Sequence, residues 1–300
     1  MKKIRIATRK SELALWQARH VGSLLSQGDN ELDVEIVGYT TEGDIRHHEP
    51  LEDVGGKGLF TQELERALLE QQVDLAVHSM KDVPAILSES FDVVVAGERA
   101  DVRDALVGAD SFLVLPKGSR VGSSSGRRAA QLVRQNRDLH VVPIRGNVGT
   151  RLAKLRRGEF DALILACAGL DRLGLAAEVG QRLDVDFCVP AAGQGALAVE
   201  FLSGREDIAT IAASLRIDLV ATAVETERLV VKRLGADCTM PLGVYCHRLD
   251  SGYHLTAVLL TETGDRCLRV EKRAEDGGDL AEDVAETLLA MGARELIDNV

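Results

Sequence analysis

The 300-residue chain is 45% hydrophobic but only 3% aromatic, so its cores must be built mainly from Val, Leu, Ile and Ala. Lys and Arg number 36 against 47 Asp and Glu; the net charge of −11 argues against a nucleic-acid partner while leaving room for a local basic pocket. No apolar run reaches membrane-spanning length, and the opening MKKIRIATRK lacks the unbroken apolar stretch of a signal peptide, so a cytoplasmic chain with no membrane partner is expected.

Short Val/Ile-rich runs alternate with segments of helical period. IRIAT (4–8) reads as a strand, and Ala14, Ala18, Val21 and Leu25 then fall on one face of a helix. DVEIVGYT (33–40) is strand-like, LFTQELERALLEQQ (59–72) is helical, and VDLAVHSM (73–80) and FDVVVAG (91–97) are further strands. The middle repeats the pattern, with DLHVVPI (138–144) a strand, VGTRLAKLRRG (148–158) a helix and FDALILACAG (160–169) a strand. Such alternation predicts α/β domains with largely parallel sheets and helices on both faces. YHLTAVLLTETGDRCLRVEKR (253–273) departs from it: two strands flank a TETGD turn and an amphipathic helix follows, the pattern of a small α+β domain. There is no sequence repeat and no long linker.

In α/β sheets, ligands collect at loops leaving the C-terminal ends of strands. ATRKS (7–11), VHSMKDVP (77–84), GSSSGRR (122–128) and IRGNVGTR (144–151) fall at such places, and each contributes Arg or Lys. Guanidinium groups grip carboxylates through paired, charge-assisted hydrogen bonds, and small residues let backbone N–H groups assist. Taken singly, each Arg is an ordinary surface residue; together the four loops point to a cleft for a ligand with several carboxylates or phosphates. GGKGLF (55–60) fails the P-loop pattern, and GQGALA (193–198) runs into the strand ALAVEF where a dinucleotide site needs a helix.

The five cysteines are odd in number and form no Cys-x-x-Cys pair. Cys167, Cys188, Cys246 and Cys267 read as buried or strand residues. Cys238 sits instead in LGADCTMPLG, just after a helix, where a thiol is accessible as a nucleophile or attachment point. Asp82, between Lys81 and Val83-Pro84, is placed either to exchange protons and stabilise a cation or simply to shape a turn. No His, Cys and carboxylate spacing suits a metal.

IATRKSELALWQA, VGGKGLF, VHSMKDVP, IRGNVGTRLAKL, PAAGQGALAVE and the loop around Cys238, in this order over nearly the whole chain, resemble the porphobilinogen deaminase (hydroxymethylbilane synthase) family. The resemblance implies two α/β domains like those of periplasmic binding proteins, residues 1–97 with 196–214 and residues 98–195. A small α+β domain, 215–300, would carry Cys238. It implies a monomeric, metal-free transferase that joins four porphobilinogens head to tail with loss of four ammonia molecules. Water would then release the linear tetrapyrrole. Its cofactor would be a dipyrromethane held by a thioether to Cys238.

Carried over by motif, Asp82 is the catalytic aspartate, and Lys81, Ser123, Ser125, Arg127 and Arg128 bind cofactor carboxylates. Arg9, Ser11, Arg145, Arg151, Arg172 and Gln194 hold substrate or the growing chain, while Lys57 and Phe60 belong to a mobile loop over the site. Four positions depart from the family pattern: Asp53 in the loop, Val102 at a hinge, Ser123, which keeps the hydroxyl of the more common Thr, and Gly126, read as loosening the GSSSGRR loop. Two other readings share the fold: an anion receptor, needing neither Cys238 nor Asp82, and a regulatory effector-binding domain, for which no helix-turn-helix is evident.

Overall fold

A computed structural model describes residues 2–45, 61–237 and 239–298. Lys57, Phe60, Asp53 and Cys238 lie outside the described residues. In chain order the elements are β1 (Lys2–Arg9), α1 (Glu12–Gly28), β2 (Leu32–Tyr39), α2 (Glu42–Ile45), α3 (Gln62–Leu69), β3 (Leu75–Ser79), β4 (Phe91–Ala96) and β5 (Asp104–Val107). Next come β6 (Arg120–Gly122), α4 (Gly126–Gln135), β7 (His140–Val142), α5 (Val148–Arg156), β8 (Ala162–Ala166), α6 (Cys167–Arg172) and β9 (Val179–Leu183). The chain ends with β10 (Leu197–Leu202), α7 (Glu206–Ala213), α8 (Asp218–Leu234), β11 (Leu242–Arg248), β12 (Tyr253–Leu260), β13 (Cys267–Ala274), α9 (Gly277–Ala290) and α10 (Ala293–Ile297).

The chain divides into two units, residues 1–100 with 195–224, and residues 101–194 with 225–300. The first holds a five-stranded sheet of order β2-β1-β3-β10-β4, in which β1 is parallel to β2 and β3 while β10 runs antiparallel to β3 and β4. The second holds β7-β6-β8-β5-β9, with β6 parallel to β7 and β8 and β5 antiparallel to β8 and β9. Both sheets thus have one order: second, first and third parallel strands, then a reversed strand, then a fourth strand that runs with the first three. The sequence pattern predicted largely parallel sheets. Parallel neighbours need a crossover helix, as α1, α4 and α5 provide, whereas β5 and β10 are reached without one and run the other way.

The periodic face of α1 is buried as expected, and Ala18, Val21 and Leu25 pack on Ile4, Ile6, Leu75, Val77, Leu197 and Val199. In the second unit, β5 and β8 are buried on both faces: Leu106 and Ile164 enter one cluster, Ala105, Val107, Leu163 and Leu165 the other. The run at 160–169 was expected to be all strand, yet it turns into α6 at Cys167. An unbroken apolar run has no period with which to mark that switch.

β11, β12 and β13 form an antiparallel meander with β12 central and residues 261–265 turning between β12 and β13. β11 is an edge strand whose outward N–H groups need acceptors. Val244 N–H donates to the Pro190 carbonyl (2.8 Å), and Cys246 N–H donates to Glu227 Oε1 (2.7 Å) on α8. Gly243 lets that edge close up, since a Cβ there would stand 2.7 Å from the Val189 carbonyl oxygen. Glu227 is fully buried, and its other oxygen accepts from Gly193 N–H (2.7 Å), so one carboxylate ties segment 189–194 to the edge strand. Glu227→Ala strands two buried N–H groups and is expected to destabilise the chain by about 2–5 kcal/mol, read from the urea midpoint at constant slope.

Candidate functional site

In the first unit, adjacent parallel strands deliver the candidate groups. Arg9 ends β1, and Ser11 caps α1 by accepting from Ala14 N–H (3.3 Å). A single 3-10 turn, Met80–Asp82, follows β3 directly. Met80 is buried, its N–H donates to the Ala196 carbonyl (3.1 Å), and Ser79 Oγ accepts from Gln17 Nε2 (2.8 Å) on α1. The turn is therefore anchored at its root while Asp82 is exposed and Lys81 half-buried. Because β1 and β3 pair in parallel, with Ala7 opposite Ala76, Arg9 and the Lys81–Asp82 turn leave the same edge of the sheet.

The second unit repeats the arrangement: GSSSGRR leaves β6, IRGNVGTR leaves β7, and α6 with Arg172 leaves β8. Ser124 Oγ donates to the Ile144 carbonyl (2.7 Å) and accepts from Ile144 N–H (2.9 Å), tying the first two loops together. Ser123 Oγ accepts from Ser125 N–H, and Ser125 caps α4 by accepting from Arg128 N–H. Arg145 and Arg151 are half-buried at the start of α5, and Arg151 Nε donates to the Gly146 carbonyl (2.8 Å). Burial lowers the Arg172 guanidinium to about 10, which leaves it cationic at neutral pH. Having already shed part of its hydration, it has less to lose on meeting an anion.

Arg127 and Arg128 stand differently from the sequence reading, which put them on a loop. Both lie in the first turn of α4 and point inward, 4% and 7% exposed. Their partner is Asp104, fully buried at the head of β5: Arg127 Nη2 donates to Oδ2 (2.8 Å), and Arg128 Nε and Nη2 donate to Oδ1 (2.9 and 2.6 Å). Gln194 is also fully buried, and its amide donates to Asp104 Oδ1 (3.0 Å) and to the Val102 carbonyl (2.7 Å). Burial works against the charge of Arg127, but Asp104 more than offsets it and raises its pKa. Cys188, beside them, is pushed up to about 12 by burial first and Asp104 second, so it stays a neutral thiol donating to Asp104 (3.4 Å). Two guanidinium groups and one carboxylate leave this cluster with net charge +1. Among the described residues Arg127 Nε, buried, has no hydrogen-bond partner.

Sequence reasoning missed Asp104, Glu227 and Gln131. Gln131 pairs with Val189 through both amide atoms, donating to its carbonyl (3.1 Å) and accepting from its N–H (2.8 Å). One signal for Asp104 was available: an aspartate opening the apolar run DALV demands a cation, and the chain carries an Arg pair. Gly126 was read as loosening its loop. The structure shows a tight approach instead, because a Cβ there would come within 2.8 Å of the Thr239 carbonyl oxygen. Cys167, Cys188 and Cys246 are buried and Cys267 is half-buried. Among the described residues no group of His, Cys, Asp and Glu is arranged to hold a metal.

Asp104→Ala leaves two buried guanidinium groups uncompensated and is expected to destabilise the chain by about 3–5 kcal/mol in urea unfolding. A second expectation concerns Asp101, which accepts from Arg103 (2.8 Å) and Arg182 (2.7 Å). Burial alone would raise its pKa, but the hydrogen bonds from Arg103 and Arg182 prevail and hold it at about 2, below its usual 3.8. A depressed carboxylate stabilises the fold above the unfolded pKa and loses that contribution as pH falls toward the folded one. Asp101→Asn should therefore be less stable at pH 7 and show a shallower loss between pH 4 and 2, measured by acid unfolding.

Residues 4–210 match the family model "Porphobilinogen deaminase, dipyromethane cofactor binding domain", and residues 221–290 match "Porphobilinogen deaminase, C-terminal domain". The chain is 46% identical over 302 residues to porphobilinogen deaminase of Thiobacillus denitrificans, covering 99% of each chain. It is 46% identical over 299 residues to that of Paraburkholderia phymatum, covering 97% of this chain and 91% of the relative. Among solved structures, a probable amino-acid ABC transporter extracellular-binding protein from Bacillus subtilis aligns at TM-score 0.44 and 12% identity, over 72% of this chain and 90% of its own. With relatives matched from end to end and both of its domain models present, the chain belongs to the porphobilinogen deaminase family.

Proposed function

We propose that this chain is a hydroxymethylbilane synthase that carries its dipyrromethane on Cys238 and uses Asp82 at every coupling. The observation that carries the assignment is the placement of basic residues beyond strand ends in each unit, in the loops or in the helices that follow: Arg9 and Lys81 at β1 and β3, and Arg127, Arg128, Arg145, Arg151 and Arg172 after β6, β7 and β8. Each pyrrole ring brings an acetate and a propionate, so a growing chain needs many fixed cations, which a protein of net charge −11 must concentrate locally. The receptor and effector-domain readings are set aside, because the full-length relatives are deaminases.

The donor set fits a group rich in carboxylates. The Arg127–Arg128–Asp104 cluster is net positive and Arg127 Nε still has a hydrogen to give, while Lys81 of the first unit is a compact cation in its own right. Lys81, Ser123, Ser125, Arg127 and Arg128 would hold the cofactor's carboxylates, and Arg9, Ser11, Arg145, Arg151 and Arg172 those of arriving rings. Gln194, fully buried, would act by fixing Asp104. When bound, the dipyrromethane supplies the free pyrrole α-carbon to which substrate rings are added. Asp82, exposed on its anchored turn, stabilises the positive charge that develops as ammonia departs, and accepts the proton released by coupling.

The reading extends to residues 215–300 as a third domain, to a monomeric state and to a cytoplasmic location. Among the described residues no helix is long and apolar enough to cross a membrane.

Intact-protein mass spectrometry tests the tether: the purified chain is expected to exceed its sequence mass by two linked pyrroles, and Cys238→Ala to show no excess. Asp82→Asn, altering an exposed turn residue, should melt with the parent yet lose about 10²-fold or more in turnover. Near-parent turnover in that variant would remove Asp82 from the mechanism.

A further inference from the structure

Two residues inside the family motifs have no part in the proposed function: His78 of VHSMKDVP and Glu200 of PAAGQGALAVE. Both are buried, 6% and 1% exposed, and His78 Nε2 stands 3.0 Å from Glu200 Oε2. A carboxylate oxygen accepts, so the imidazole N–H donates. Strand register makes the contact. β10 runs antiparallel to β3 with Ala198 opposite His78, which sets Glu200 diagonally across on the same face of the sheet.

The pair sits at the root of the Asp82 turn. The next side chain along β3, Ser79, belongs to the opposite face, where its Oγ accepts from the buried Gln17 of α1 (2.8 Å). Met80 N–H then donates to the Ala196 carbonyl (3.1 Å) just before β10, and Val83 N–H closes the turn on the Met80 carbonyl (3.1 Å). Residues 78 to 80 therefore tie the end of β3 to α1 on one face and to β10 on the other. Glu65, half-buried on α3, has its pKa raised by burial and less strongly by Glu200, while His78 acts the other way. Removing the imidazole would set two carboxylates against each other.

We propose that His78 and Glu200 are positioning residues for the coupling step: their hydrogen bond fixes the end of β3, and with it the Asp82 carboxylate on the turn that follows. The inference rests on Asp82 acting at each coupling and adds two buried residues that work through it. Stability alone does not account for the pair, because a buried ion pair adds little over apolar groups of the same volume. What it adds is direction, since a hydrogen bond constrains angle as well as distance and an apolar contact does not. A carboxylate that must meet a developing charge is sensitive to such placement.

The test separates placement from folding. The double variant His78→Leu/Glu200→Met puts apolar groups of similar size where the pair stood, so no buried charge is left unpaired and only the directed bond is lost. Glu200→Gln keeps an acceptor for the imidazole but without the charge. Each is made with and without Asp82→Asn, and kcat and KM for porphobilinogen are measured on folded, dipyrromethane-loaded chain, with thermal midpoints alongside. The apolar pair is expected to lower kcat about tenfold at unchanged KM, the order that a small misplacement of a reacting group produces. Glu200→Gln, whose neutral bond is weaker, should lower it about threefold, and it carries the test alone should the apolar pair fail to fold. In the Asp82→Asn background neither change should cost anything further, because the group they position is gone. A variant that turns over at the parent rate, or that loses the same factor in both backgrounds, overturns the proposal. Near-parent turnover of Asp82→Asn itself overturns the reading of Asp82, and the role of the pair with it. A large loss in Asp82→Asn beside parent turnover in the pair variants removes only the role of the pair.

Discussion

The second unit is organised around one buried carboxylate. Asp104 sits without solvent contact at the head of β5 and receives hydrogen bonds from Arg127, Arg128, Gln194 and Cys188. A buried ion cluster of this kind adds little net stability over a well-packed apolar core, because desolvation offsets most of the Coulomb gain. What it supplies is placement. Two guanidinium groups are held in a dry setting with one positive charge left over, beneath the loop that leaves β6. The same cluster draws in segment 188–194 through Cys188, Val189 and Gln194, and Glu227 extends that tie to the edge strand of the last sheet.

The sheets explain why so many basic side chains emerge in register. Both order their strands identically, with three parallel strands whose C-terminal ends lie side by side. Each crossover that makes two strands parallel also returns the chain to the same edge, so successive βα loops accumulate there. In the first unit Arg9 and the Asp82 turn share such an edge; in the second, the loops and helix turns bearing Ser123–Arg128, Arg145–Arg151 and Arg172 follow the three parallel strands. An overall charge of −11 is compatible with this, because field strength at a site depends on nearby fixed charges rather than on the total.

Glycine serves close approach at two points that bear on the site. Gly243 lets β11 lie against Val189, and Gly126 lets Thr239 lie against α4. Both bring the last sheet and its flanking segment toward the residues that surround Asp104. A side chain at either position would meet backbone, which has no rotamer with which to move aside.

Local pattern was enough to read most elements. The buried stripe of α1, the strands β1 to β4, the turn at 261–265 and the basic loops at strand ends all follow from short-range periodicity and turn chemistry, which act between residues a few positions apart. The ordered motifs likewise identified the family. The reversal of β5 and β10, the end of β8 at Ala166, and the partnerships of Asp104, Glu227 and Gln131 were decided only by the tertiary structure. These depend on pairings such as Asp104 with Arg128, or Glu227 with Gly193, between residues far apart in the chain. A single sequence shows a buried charge only as a residue type, and the partner that makes its burial tolerable is chosen when the chain packs.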